Sequence, residues 1–144
     1  MINLITLCGI PASGKTTLAE YISENINAKI YSDDDIYSSY NSSNLSEITA
    51  KYHEAIRNDL LDGFNVVCDG TYLTSFVRKR LLSSVDDISC KKILINIQTK
   101  LSDCIERNKQ RSGRKRVSDS VIYTFAKIYE TPTLDEGWDE IILY

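Results

Sequence analysis

Gly9-Ile10-Pro11-Ala12-Ser13-Gly14-Lys15-Thr16 sets two glycines around a short loop and follows them with an ammonium and a hydroxyl. That pattern, GxxxxGK[ST], is chemistry for a polyphosphate. Glycine at both ends lets backbone amides turn inward at phosphate oxygens, where a side chain would block the approach. A helix opening at Lys15 aims the positive end of its dipole at the same spot. Lys15 then reaches the β- and γ-phosphates, and the Thr16 hydroxyl ligates Mg²⁺. The pattern carries weight when a buried strand precedes it and a helix follows. Ile2–Cys8 reads as such a strand and a helical pattern begins at about Lys15, so the loop predicts binding of ATP or GTP with magnesium.

Moving the γ-phosphoryl group to a hydroxyl needs two further things. A carboxylate must take or orient the acceptor proton, and cations must neutralise the equatorial oxygens in the transition state. Asp33-Asp34-Asp35 and Asp69 are the acidic candidates. Acids also favour helix starts, so one or two of the triplet are expected only to cap a helix. Asp69 reads either as a holder of magnesium's water shell that organises Thr16, or as the close of a turn with Gly70. The cationic candidates are Arg107, Lys109, Arg111, Arg114, Lys115 and Arg116, six in ten residues with no acid among them. The guanine-specifying NKxD element of switch GTPases is absent, and motor or transporter ATPases are larger. A small kinase is the class that remains.

These groups need elements to hold them. Ala28–Tyr31 reads as a second strand ending at the Asp triplet, and Phe64–Cys68 as a third ending at Asp69. Residues 46–61 are helical, with Ile48, Tyr52, Ala55, Ile56 and Leu60 on one face and Gly63 as a stop. Thr74 caps a helix to about Ser84, Lys92–Ile97 is a fourth strand, and a helix from Leu101 runs into the basic segment. Ser118 caps a helix with Val121, Ile122, Phe125 and Tyr129 on its apolar side, stopped by Pro132. Trp138–Tyr144 is a last strand. Apolar strands alternating with helices predict a three-layer α/β fold, a parallel sheet covered on both faces with its site at the strands' carboxyl ends.

Length and charge bound the reading. The 144 residues suit one domain, 1–144, with a lid at about 101–117. An apolar fraction of 42% excludes a disordered chain, and no apolar run approaches the roughly 18 residues of a membrane helix. Met1–Cys8 lacks the basic start of a signal peptide, and the four cysteines have no metal-ligand spacing, so a reducing, cytoplasmic setting is expected. The net charge of −3 hides its distribution. Of 17 basic and 20 acidic residues, six basic ones lie in the 107–116 segment, leaving 11 against 20, or −9, elsewhere. Five acids (Glu130, Asp135, Glu136, Asp139, Glu140) sit near the C-terminus.

Several blocks resemble the 5′-hydroxyl polynucleotide kinase domain within the P-loop kinase family. Gly9–Thr17 resembles its G-x-P-G/A-S-G-K-S/T-T loop, and Tyr31–Ile36 its strand followed by N/S-x-D-x-hydrophobic. Asp69-Gly70-Thr71-Tyr72-Leu73, with Arg78 beyond, is similar to D-x-T-N-L…R, and Arg107–Arg111 to the lid's R-N-x-x-R. Val117-Ser118-Asp119 and Pro132–Trp138 resemble its V-S/P-x…P-T-x-x-E-G-F/W ending. The resemblance implies a five-stranded parallel sheet of order 2-3-1-4-5 and ATP as donor. Gly9, Pro11, Ala12, Ser13, Gly14, Lys15, Thr16 and Thr17 would contact it, and a nucleic-acid 5′ end would be the acceptor.

The same resemblance assigns roles. The family's base lies two residues before a hydrophobic position, which selects Asp34 before Ile36, with Asp33 the alternative. Arg111 matches the lid arginine spanning the β- and γ-phosphates, and Arg107 the one a helical turn before it. Catalysis would then rest on Lys15, Asp34 and Arg111, and the metal on Thr16 and Asp69. Thr71 would help hold the acceptor, and Arg78 is structural or a phosphate contact. Tyr37, Tyr40 and Tyr72 are placed to stack on an acceptor base. His53 has no triad or metal partners, and Trp138 reads as core or rim. Two acceptor-side positions depart from the pattern: Tyr37 replaces an arginine and Tyr72 an asparagine. The acceptor is therefore open to a small nucleoside or sugar, and a weak ATPase serving a protein partner is a further alternative. Arg114, Lys115 and Arg116 lie beyond the motif and argue for a polyanionic acceptor. No phosphatase or ligase domain is expected beyond the last strand.

Overall fold

In the computed structural model, residues 1–39 and 44–144 are described, without the side chains of Ser38, Ser39 and Arg114. Tyr40 lies outside them. Five strands form one parallel sheet: β1 (Asn3–Cys8), β2 (Ala28–Ser32), β3 (Asn65–Asp69), β4 (Lys91–Asn96) and β5 (Glu140–Leu143). Their order is β2-β3-β1-β4-β5, as the resemblance implied. The central strands read as unbroken apolar runs because both faces are covered. Leu4, Cys8, Val66 and Cys68 pack on one side with Tyr52, Ile56 and Leu60 of α3 (Leu45–Leu61) and with Leu81 and Leu82 of α4 (Ser75–Ser84). Ile5, Leu7 and Val67 point the other way, onto Ala19, Leu18 and Ile22 of α1 (Lys15–Ile26). Between these layers the strands' carboxyl ends gather Gly9, Asp33, Asp69 and Asn96 along one edge, with Ser32 paired to Asp69.

The expected strands and helices form within a residue or two of their places, and four details differ. The Asp triplet opens a helix of its own, α2 (Asp33–Ser39), with all three acids in its first turn, where they favour the helix dipole. The helix of the basic segment, α5 (Leu101–Lys109), stops before Arg111, and Gly113–Lys115 forms a 3-10 turn. The next helix, α6 (Asp119–Ile128), ends before Pro132; Leu73 O takes the Glu130 amide there at 2.8 Å. Ser118 holds the N-cap position without a side-chain cap bond, and its hydroxyl pairs with Ser120 instead.

A buried ion pair fastens the C-terminal segment to α4. Arg78 is 0% exposed and makes a two-pronged contact with Glu136, 2.8 Å on each prong, while Nη1 donates to Tyr72 O at 2.8 Å. Trp138 Nε1 also donates to Glu136. The Arg78 guanidinium is thus committed to Glu136 and the Tyr72 carbonyl, a structural role. Arg78→Met strands the Glu136 carboxylate and is expected to cost about 3–5 kcal/mol in urea denaturation. Arg78→Met with Glu136→Leu, which removes both charges, should recover most of that loss. Equal loss in the double variant would show that packing, not charge, holds the segment.

Candidate functional site

The phosphate loop is folded as its residue types require. Gly14 sits at φ +101°, and a Cβ on Gly9 would fall 2.7 Å from Ser13 Oγ, so both glycines are needed. Ala12 also has a left-handed backbone, at φ 64°, a strain of about 1–2 kcal/mol for a residue with a Cβ. Its methyl packs with Cys104 and Ile122, which offsets part of that cost. Ser13 Oγ is buried with no hydrogen-bond partner among the described residues. Lys15 Nζ donates to Ile10 O at 2.9 Å, and burial, aided by Arg111, draws its ammonium below the usual lysine range against the pull of Asp69.

Several cavities border this loop. The largest, about 670 Å³, runs from Ser13 and Gly14 past Thr17, Leu18 and Tyr21 of α1 to Thr99, Arg107, Arg111 and Tyr144. A second, about 360 Å³, brings Lys15, Thr16, Asp33, Asp34, Asp69, Thr71, Tyr37, Arg111 and Lys115 together, with Val117, Val121 and Phe125 as its apolar wall. A third, about 490 Å³, lies behind Asp34, between Glu20 of α1 and Tyr31 of β2. Arg111 borders the first two and Lys115 the last two, so the cationic segment spans the whole site.

Asn108 explains how a segment beyond α5 is held there. Its side chain is 1% exposed and bonds Val117 both ways, Nδ2 to O at 2.6 Å and Oδ1 from N at 3.1 Å. Arg111 therefore reaches the loop from a closed turn, not along the helix face that the spacing from Arg107 suggested. Its amide bonds Asn108 O at 3.0 Å, and Nη1 donates to Lys115 O at 3.2 Å. Arg107 Nη1 donates to Ser13 O at 3.2 Å, bracing the loop from outside.

On the opposite side, Thr16 Oγ1 donates to Asp69 Oδ2 at 3.0 Å. This hydroxyl and carboxylate are hard oxygen donors, suited to Mg²⁺ that keeps its remaining ligands as water and phosphate oxygen. Burial pushes the Asp69 carboxyl up, against the Thr16 hydrogen bond. Asp34 is exposed to both flanking cavities, whereas Asp33 tucks against Gly70, where a Cβ would lie 2.1 Å from Asp33 Oδ2. Burial raises Asp33 to about 6 from 3.8, with Asp69 and Asp34 adding to it and the Tyr52 hydrogen bond and Lys15 opposing. Between those values the folded chain binds more protons than the unfolded one, so stability falls as pH rises through the window. Asp33→Asn should accordingly be more stable than the parent at about pH 7, by up to about 3 kcal/mol. The difference should vanish below about pH 4, as thermal melts at the two pH values would show.

Of the residues expected to stack, Tyr37 borders the 360 Å³ cavity, whereas Tyr72 does not line it. Its ring is 3% exposed, turned inward by a backbone φ of 44° and bonded to Tyr52. His53 packs on Tyr52, and burial lowers it to about 4, so it is neutral at physiological pH. Lys115 and Asn108 escaped the motif reading, although the basic run and the R-N-x-x-R block contain them. Tyr21 was legible as one helical turn beyond Thr17, but Tyr144 joins it only through the pairing of β5 with β4.

The sheet order, glycine loop and overhanging cationic segment define a P-loop kinase-like fold. The chain belongs to the family described as chromatin-associated protein KTI12, which it matches over residues 2–143. Kti12 of Chaetomium thermophilum in complex with ADP-AlF3 has a TM-score of 0.77 at 21% identity, over 98% of this chain and 88% of that one. The APS kinase CysC of Mycobacterium tuberculosis, with AMPPNP and APS, has 0.71 at 14%, over 99% and 88%. A chain of the Pnkp1/Rnl/Hen1 RNA repair complex has 0.77 at 19%, over 88% of this chain and 43% of that one. No curated protein sequence matches this chain. Among the described residues no helix is long and apolar enough to cross a membrane.

Proposed function

We propose that this chain binds ATP with Mg²⁺ and transfers the γ-phosphoryl group to a hydroxyl, the 5′-hydroxyl of a polynucleotide. The carrying observation is the single cavity that Lys15, Thr16, Asp34, Asp69, Arg111 and Lys115 line together. Loop amides and Lys15 would bind the β- and γ-phosphates, and Arg111 would add a guanidinium able to hold two oxygens at once. Thr16 and Asp69 would hold Mg²⁺, which supplies charge neutralisation on the phosphates when bound. Asp34, open to the acceptor side, would take the hydroxyl proton, and Val117, Val121 and Phe125 would keep water out. Residues 1–144 would act as one domain, with 101–117 as its lid.

Support for a polynucleotide comes from the lid and C-terminal blocks, from Lys115 on the acceptor side, and from the fold shared with a chain of an RNA repair complex. Four free, buried thiols fit a reducing compartment such as the cytoplasm. The test is transfer of labelled γ-phosphate to an oligonucleotide with a free 5′-hydroxyl, beside a panel of nucleosides and sugars. Label on the oligonucleotide is expected, and label on small molecules alone would reject that acceptor. The chromatin-associated family description favours a second reading, an ATPase working with a protein partner. ATP turnover without transfer to any acceptor would select it.

A further inference from the structure

We propose that Arg78, beyond fastening the C-terminal segment, is a positioning residue for the turn 69–73 and, through it, for the start of the phosphate loop. Its guanidinium holds the Tyr72 carbonyl in place, so that Thr71 lines the 360 Å³ cavity and braces Gly9. The effect on transfer rests on the kinase reading; the contacts do not.

The turn carries a conformation that its own residues do not favour. Tyr72 has a φ of 44°, a left-handed backbone that crowds a residue with a Cβ. Such a backbone persists only where its surroundings hold it, and such positions gather at sites of chemistry. The same turn carries two groups of the site. Asp69 accepts from the Thr16 hydroxyl at 3.0 Å, and Thr71 lines the cavity with Lys15 and Asp34. Gly70 between them has no slack, since a Cβ there would meet Asp33 Oδ2 at 2.1 Å.

Hydrogen bonds to three consecutive carbonyls supply the hold. Thr71 O accepts from Gly9 N at 3.0 Å, and Leu73 O from Glu130 N at 2.8 Å. Between them, Tyr72 O accepts from Arg78 Nη1 at 2.8 Å and from Cys8 Sγ at 3.3 Å. A thiol is a weak donor and a guanidinium a charged one, so Arg78 carries most of the hold on that carbonyl. Nε and Nη2 of Arg78 are spent on Glu136, at 2.8 Å each, and the residue is 0% exposed. A planar fork fixed along one side aims its remaining donor in a fixed direction. Neither Arg78 nor Glu136 lines the cavity, yet the pair reaches the phosphate loop through Tyr72 O and the Thr71–Gly9 bond.

The experiment separates fastening from positioning in the full chain. Arg78→Met with Glu136→Leu, expected to recover most of the stability, still leaves Tyr72 O without its charged donor. Its kcat for transfer should stay about 10- to 100-fold below the parent's, the scale of a slight misplacement of reacting groups. KM for ATP should remain within about threefold. Exchange of the Gly9 amide should quicken about tenfold, a loosening on the scale of one hydrogen bond. Trp138→Phe removes another donor to Glu136 but leaves Arg78 on Tyr72 O, so it should keep the parent's kcat. Arg78→Lys guards against a double variant that fails to fold. Its ammonium still faces Glu136, but a single point donor cannot also hold Tyr72 O, and kcat should fall about tenfold. A folded Arg78 variant with kcat within about twofold of the parent's, or with parent-like Gly9 exchange, would overturn the proposal. So would a Trp138→Phe variant as slow as the double one. If the parent transfers to no acceptor, the kinase reading fails and Gly9 exchange alone decides. Quickened exchange then keeps the positioning role, and parent-like exchange rejects it.

Discussion

Lys15→Met should lower phosphoryl transfer about 10²–10³-fold and weaken ATP binding, while leaving the fold intact. The side chain bonds the loop carbonyl of Ile10 and lines the 360 Å³ cavity beside Thr16 and Asp69. Removing a single preorganised charge from a water-poor site costs a factor of that order. Stability should not fall with it. Burial already disfavours the ammonium, so methionine, of similar length, relieves a desolvation cost and gives up one bond to Ile10 O. Titration with a fluorescent ATP analogue and a thermal melt separate the two effects. Tight nucleotide binding by the variant would mean that the loop is not the phosphate site.

Asp34→Asn should lower transfer about 10²–10⁴-fold, the range of a lost general base, with ATP affinity within about twofold. The contrast with Asp33→Asn carries the argument. Asp34 is exposed and borders both the 360 Å³ and the 490 Å³ cavity, whereas Asp33 lines only the first and packs on Gly70. Asp33→Asn keeps the size of the side chain that packs on Gly70, so it should lose far less transfer than Asp34→Asn while gaining stability at neutral pH. The reverse ranking would assign proton acceptance to Asp33. Steady-state transfer at saturating ATP, measured on both variants, is sufficient.

Much of the site was legible before any tertiary structure. The loop Gly9–Thr16 constrains its own backbone, because only glycine accepts the conformation at Gly14 and the close approach at Gly9. The nearly unbroken apolar runs of Asn3–Cys8 and Asn65–Asp69 required a sheet buried on both faces, which put the site at the strand ends where the acids lie. Arg111 was found for a reason that the fold revises. The spacing from Arg107 suggested a shared helix face, but the helix ends at Lys109, and Asn108 folds the following turn back onto the loop. Tyr72 was misread as a stacking residue, since a positive φ at a tyrosine has no local signature.

Local chemistry alone therefore determined the shape of the glycine loop and where the strands and helices run. Those properties depend on neighbours within one turn or one strand, and the chain's own order carries them. Only the tertiary structure decided that Arg111 and Lys115 border the loop's cavities, that Asp33 packs on Gly70 while Asp34 is exposed, and that Arg78 belongs to Glu136. Each of these pairs residues distant in sequence, such as Arg78 with Glu136 or Asp33 with Gly70. Charge and residue type say that such groups need partners; the sheet order and the burial it imposes choose them.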